Sequence, residues 1–329
     1  MRAFLTGMAN VVLLLALLLP LPAAAQAWRP VRNIELIAPS AAGGGSDTLA
    51  RLVQRILQEN RLVDAPLTVT NRPGAGGAIA WIALSQAPGD GHHIAISTAN
   101  LLTNHITGRS PLNYTDFTPL AQLFSEPVGV AVRADSPVTS GKELLERLKA
   151  DSGALSAAIG TSLGNSGHIA LALAARAAGG DAKRLRAVVF PAAAQGMAAL
   201  LGGHVDLVAS PVSNLASQHQ EGKIRVLAVS APQRLGGGLS AVPTWRELGA
   251  DVAIDNLRGV LGPKGMGAAP TAWWEGTLGR MAATDEWKTH LERNHWTNSF
   301  AGAEAGRKIL QQQYEQMRAG LAELGVAKQ

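Results

Sequence analysis

Residues 34–57 limit the folds open to this chain. A short apolar run, residues 34–38, ends in Ser40-Ala41-Ala42-Gly43-Gly44-Gly45-Ser46-Asp47, after which Leu49, Leu52, Val53, Ile56 and Leu57 fall at i, i+3, i+4, i+7 and i+8. That spacing is one apolar face of a helix, so the unit reads strand, small-residue loop, helix. Ser46 or Asp47 is placed to cap the helix. Glycines leave backbone N–H groups unshielded beside the positive end of a helix, a geometry suited to an anion, and we expect a carboxylate there. The unit recurs at residues 67–85, with Arg72-Pro73-Gly74-Ala75-Gly76-Gly77 as its turn, and at residues 155–177, with a glycine- and hydroxyl-rich loop at 160–166. Strands alternating with helices predict an α/β fold.

The rest of the chain extends the pattern. Residues 92–97 read as a strand whose C-terminal end carries Thr98 and Asn100, the edge at which open α/β sheets bind ligands. Residues 128–133 form a strand that leads into a second lobe, followed by a helix to residue 150 opened by a capping box, Ser140 with Glu143. Strands at 186–190 and 205–209 flank a helix at 194–201, Ser210 follows as a further candidate contact, and residues 224–230 carry the chain back. A second capping box, Thr244 with Glu247, a strand at 252–262 and helices at 271–283 and 303–324 complete the reading. No low-complexity linker is present, so crossing strands join the lobes and form a hinge suited to closure. The expected organisation is a leader at 1–27, a first lobe at 28–127, a second at 128–230, and a return to the first at 231–329.

The leader is read from Arg2, the apolar run at 11–19, Pro20, Pro22 and the small residues up to Ala27, a secretory signal peptide cut after Ala25 or Ala27. Among 329 residues there is no cysteine, which excludes a disulfide and a lipidated cysteine and leaves a protein free in the periplasm. Arg2 is the one charge that processing removes from the formal +5. A basic surface favours anions in general, but with 4% aromatic residues and no Lys/Arg run interleaved with them, nucleic acid is not an expected partner.

Other motifs point elsewhere when taken singly. A phosphate-binding P-loop needs Gly-Lys followed by Ser or Thr, whereas Gly45 is followed by Ser46-Asp47. Gly160-Thr161-Ser162-Leu163-Gly164 satisfies G-x-S-x-G, and Asp206 or Asp251 with His290 or His295 gives a hydrolase order. The loop's Thr161, Ser162, Asn165 and Ser166 together suit several hydrogen bonds to one ligand better than a single nucleophile. His92-His93 beside Asp90 is weak as a metal site, because adjacent strand residues face opposite sides; no metal or cofactor is expected. His168 is placed either to donate to a carboxylate or to serve the fold. Trp273, Trp274, Trp287 and Trp296 are expected in the core.

Taken together, Gly43-Gly44-Gly45-Ser46-Asp47 with Arg51, Asn71-Arg72-Pro73-Gly74, Pro88-Gly89-Asp90-Gly91, Tyr114-Thr115-Asp116-Phe117-Thr118-Pro119, Gly160-Thr161-Ser162, Gly202-Gly203-His204-Val205-Asp206, residues 223–229 and Val242-Pro243-Thr244 with Glu247 resemble the extracytoplasmic solute-binding receptors of tripartite tricarboxylate transporters, the Bug receptors. The resemblance covers nearly all of the chain after the leader. It implies a two-lobed, type II-like Venus flytrap with hinge-crossing strands that closes on a small carboxylate, catalyses no reaction, and serves the transporter's membrane subunits; a diffusing receptor has no need to assemble, so a monomer is expected. A sensor for a signalling partner shares that binding chemistry. Carried over by position, the ligand contacts are Ser40, Ala42, Gly43, Gly44 and Asp47 on one side and Thr161, Ser162, Asn165, Ser166 and His168 on the other. Arg258, with Gly259 and Val260, and the Trp273-Trp274 pair look closest to the tricarboxylate-binding subgroup, so citrate-like ligands lead and Arg258 is the candidate ionic contact. The chain departs from the family pattern at Ser40, where an aromatic residue is common, and at Phe190-Pro191-Ala192-Ala193-Ala194, where Tyr-Lys-Gly-Gly is common.

Overall fold

The computed structural model describes residues 28–252, 254–323 and 325–328. The leader expected at residues 1–27 lies outside them. The first half runs β1 (Ile34–Ala38), α1 (Gly45–Glu59), β2 (Leu67–Asn71), α2 (Ala78–Ser85), β3 (His93–Thr98), α3 (Asn100–Ile106) and β4 (Phe117–Arg133). It continues with α4 (Gly141–Ala150), β5 (Ser156–Gly160), α5 (Ser166–Ala177), β6 (Arg186–Phe190), α6 (Ala193–Leu201), β7 (Leu207–Pro211), α7 (Ala216–Gln220) and β8 (Ile224–Val229). The chain ends with β9 (Asp255–Pro263), α8 (Ala268–Ala282), α9 (Asp285–Arg293), β10 (Thr297–Gly302) and α10 (Ala303–Glu323).

The strands run in the order β2-β1-β3-β9-β4-β7-β5-β6, with β8 and β10 also on β4. β1 pairs in parallel with β2 and β3, and β5 with β6 and β7. β4 belongs to both groups. Its residues 117–127 pair with β9, and from Val128 onward it pairs with β7 and β8. One continuous strand therefore crosses between the halves of a curled sheet, as a two-lobed binding protein requires.

Each half buries its own apolar faces. Trp274, Trp287 and Leu278 pack with α1 and β1 in the first, and Leu144, Leu171 and Trp245 with β4 and β5 in the second. Trp245, Ala250 and Val252 belong to the second core, so the chain returns to the first half with β9 and not at residue 231. Of the four tryptophans expected in the core, Trp274 and Trp287 are fully buried, whereas Trp273 and Trp296 pack only partly buried against it.

Two local expectations change. The Ser140 hydroxyl caps α4 through the Glu143 N–H, but the Glu143 carboxylate reaches Thr139 N at 2.8 Å instead of Ser140 N. The Thr244–Glu247 box is reciprocal, with bonds of 2.8 and 3.2 Å, yet it closes a turn and no helix follows.

His92 and His93 do not face apart. His92 precedes β3, and both rings contact Asp90, at 2.9 and 2.8 Å, while Arg32 meets the same carboxylate at 2.6 Å. Burial would raise the Asp90 pKa from its ordinary 3.8, but bonds from His92, Arg32 and His93 outweigh it and hold the group well below that value. A depressed carboxyl contributes stability that is present above the unfolded pKa and is lost as pH falls through the folded one. Asp90→Asn is therefore expected to lower stability at pH 7 and to flatten its decline below about pH 4. Urea titrations between pH 3 and 7 check this; parallel curves for the two proteins would remove Asp90 from the account.

Candidate functional site

The C-terminal ends of β1, β3, β5 and β7 meet between the two halves and line a partly open cavity of ≈ 90 Å³. Its walls are made of small residues, polar and apolar in similar share, without an aromatic side chain, and Arg258 is the one charged residue among the described residues that line it. Three helices of at least eight residues begin there, beside the shorter α3 that opens at Asn100: Gly45 and Ser46 open α1, Ser166 opens α5 and Ala193 opens α6. The first N–H groups of a helix lack intrahelical acceptors, and each N-terminus carries a partial positive charge.

The first loop is built by its own side chains. α1 has Gly44 as its N-cap with no side-chain cap, so the expectation of a Ser46 or Asp47 cap does not hold. Instead the Ser40 hydroxyl accepts from the Asp47 N–H at 3.1 Å, a capping role for the residue that departs from the aromatic pattern. Asp47 is buried beneath the loop, where it accepts from Gly43 N at 2.8 Å, Asn71 Nδ2 at 2.9 Å and Arg51 Nε at 3.0 Å. Burial opposes ionisation, but these donors together hold its pKa below the ordinary value. At Gly44 an added Cβ would lie 2.9 Å from Ser40 Oγ and 3.0 Å from the Ala41 carbonyl oxygen, so a larger residue would force the loop to shift.

The opposite wall is the loop after β5. Thr161 sits at φ 61, a left-handed conformation rare for a branched residue, and accepts from Asn100 Nδ2 at 2.9 Å across the cleft. Asn165 caps α5 through the His168 N–H at 2.9 Å. Arg109 adds a second bridge, donating to Leu163 O at 2.8 Å. The first half thus holds the loop after β5 at two points.

Of the sequence-derived candidates, Ser40, Gly44, Thr98, Asn100, Thr161, Asn165, Ser166, Ser210 and Arg258 line the cavity. Ala42, Gly43, Asp47, Ser162 and His168 do not. The Gly43 N–H is occupied by Asp47, and His168 Nδ1 accepts from Gly164 N at 2.9 Å, which fixes the loop from behind. Burial, then the charge of Arg109, lower the His168 pKa, consistent with a neutral ring in that role. Ser162 Oγ is buried without a hydrogen-bond partner. Asp206 binds Ser156 at the far end of β5, Asp251 pairs with Arg246, and His290 contacts Arg55, so the hydrolase order in sequence does not assemble in space.

Sequence reasoning missed Gly76, Asn214, Asn256 and the Pro191-Ala192-Ala193 wall as cavity residues. The last lies where the lysine-bearing motif is common, and it supplies the uncapped start of α6. Arg258 reaches Ser46 Oγ at 3.3 Å and lies 3.6 Å from Glu126. Its pKa is pulled down by burial and supported by Glu126.

Residues 49–273 match the model of the tripartite tricarboxylate transporter family receptor. A Pseudomonas sp. protein encoded in the tcbD-tcbE intergenic region is 30% identical over 72% of this chain and 69% of its own length. A TctC solute-binding protein from Polaromonas, solved without ligand, is 28% identical with a TM-score of 0.68, covering 89% of this chain and 99% of that one. An R. palustris protein solved with adipate is 25% identical with a TM-score of 0.82, covering 91% and 99%.

Proposed function

The chain belongs to the tripartite tricarboxylate transporter receptor family, and from that premise we propose that it captures a small carboxylate in the cleft around Arg258 and delivers it to the membrane subunits of such a transporter. The observation that carries this reading is the convergence of a buried guanidinium and three helix N-termini on one cleft with no other charge on its walls among the described residues. Ligand contacts on this reading come from Gly45, Ser46 and Arg258 on the first lobe and from Thr161, Ser166 and Ala193 on the second. The hinge is formed by β4 and β9, and the Asn100–Thr161 bond fastens the lobes when they meet. Adipate in the related R. palustris structure supports a dicarboxylate ahead of citrate. The protein acts as a monomer in the periplasm after removal of its leader. No helix among the described residues is long and apolar enough to cross a membrane.

A thermal-shift screen across mono-, di- and tricarboxylates, amino acids and aromatic acids tests the reading. A ligand at a hundred-fold excess over its Kd stabilises the folded state by about 2.7 kcal/mol, so a true ligand is expected to raise Tm measurably. Small walls without an aromatic side chain predict that aliphatic carboxylates respond and aromatic acids do not. A flat response to every carboxylate would remove the proposal.

A further inference from the structure

The cavity also bears on how much charge its ligand carries. Behind Arg258 lies Glu126, which is 3% exposed and does not line the cavity. It stands opposite Asn256 in the β4–β9 pairing, two residues before β4 passes to β7. Its carboxylate accepts from Asn256 Nδ2 at 2.9 Å, Ser213 Oγ at 2.7 Å and Trp296 Nε1 at 3.0 Å, and Arg258 Nη2 lies 3.6 Å away. Ser213 follows β7 and Trp296 precedes β10, so both halves of the molecule bind one carboxylate at the crossing point.

Two consequences follow from that position. Asn256 and Arg258, both cavity residues, are oriented from behind by the same group. The guanidinium and the carboxylate also cancel, leaving a positive field from three helix N-termini, each equivalent to about half an elementary charge. Such a field balances one or two ligand carboxylates and not three. Resting on the carboxylate reading above, we propose that Glu126 is a positioning residue that sets the charge selectivity of the cleft, holding it to ligands with at most two carboxylates.

Calorimetry with succinate and tricarballylate on the wild type, Glu126→Gln and Ser213→Ala tests this. The wild type is expected to bind succinate more tightly than tricarballylate. Removing a like charge about 6–8 Å from the ligand, at an effective dielectric of about 20, is expected to move the affinity ratio of Glu126→Gln toward tricarballylate by roughly 30- to 100-fold. Ser213→Ala removes a hydrogen bond between the halves but leaves the charge, so it keeps the wild-type ratio. Both affinities falling together in Glu126→Gln, with the ratio unchanged, would reduce Glu126 to a packing role and overturn the proposal. A wild type that prefers tricarballylate overturns it even if Glu126→Gln does not fold. Binding of neither probe by the wild type removes the carboxylate reading, and this proposal with it.

Discussion

Arg258→Ala is expected to weaken binding of the preferred carboxylate by roughly 10- to 150-fold, the equivalent of one charge-assisted hydrogen bond worth about 1.5–3 kcal/mol. A micromolar complex requires about 8 kcal/mol, whereas a charge at a helix terminus contributes roughly 0.3–1 kcal/mol and at most about 2. Three N-termini therefore fall short without the guanidinium. The loss should exceed that of a neutral contact because Glu126, 3.6 Å behind Arg258, remains. The vacated cleft then faces its ligand with an uncompensated negative charge. Glu126 itself keeps three neutral donors, so the fold is expected to survive. Arg258→Lys restores charge without the planar fork and should recover only part of the affinity. Isothermal calorimetry with the best ligand of the thermal screen checks the order wild type, Lys, Ala. Equal affinities across the three would place the ligand away from Arg258.

Much of the fold was legible because its strands and helices announce themselves locally. β1, β2 and α2 fall where apolar period and glycine turns put them. β4 did not, because Pro119 and Pro127 interrupt it and prolines argue against a central strand. The register shifts near Pro119, and Pro127 is the last residue paired with β9 before the strand changes partners. What hides the strand from a sequence reading is thus what marks the crossing. α9 was missed although Thr284 caps it through the Trp287 N–H at 3.2 Å, a cap signal followed by Trp287 and Leu291 one turn apart.

The site was legible where it is made of loops after strands, at Ser40, Gly44, Thr161 and Asn165. It was not where a residue acts from a distance in sequence. Glu126 gave a signal, a carboxylate inside an otherwise buried strand run, but its partners Ser213, Asn256 and Trp296 are 87 to 170 residues away. Asp47 and His168 stand within the right motifs and still face away from the cavity, because each is held by a backbone N–H of its own loop. Motif position identifies the loop, and hydrogen bonding decides which side of it a residue serves.

Gly76→Ala is expected to uncouple binding from folding. Gly76 adopts φ +63, and its carbonyl accepts from Asn100 Nδ2 at 3.2 Å. An added Cβ would lie 2.9 Å from Ser162 Oγ on the opposite half and 3.1 Å from Asn104 on its own. Two penalties with different signatures follow. The left-handed backbone disfavours alanine by about 1–2 kcal/mol whether the cleft is open or closed, so it lowers stability and leaves affinity alone. The contact with Ser162 exists only when the halves meet, and overpacking of about 1–3 kcal/mol there should weaken binding by roughly 5- to 150-fold. Ser162→Ala separates them. Its hydroxyl is buried without a partner, so its removal alone should be neutral or stabilising. In the double variant the steric part is relieved and the backbone part is not. Affinity should return toward wild type while Tm stays depressed, a coupling of about 0.5–3 kcal/mol between residues 76 and 162. Calorimetry read beside the ligand-induced change in radius of gyration from solution scattering measures both halves of the claim. Wild-type affinity and compaction in Gly76→Ala would mean that closure does not bring residues 76 and 162 together.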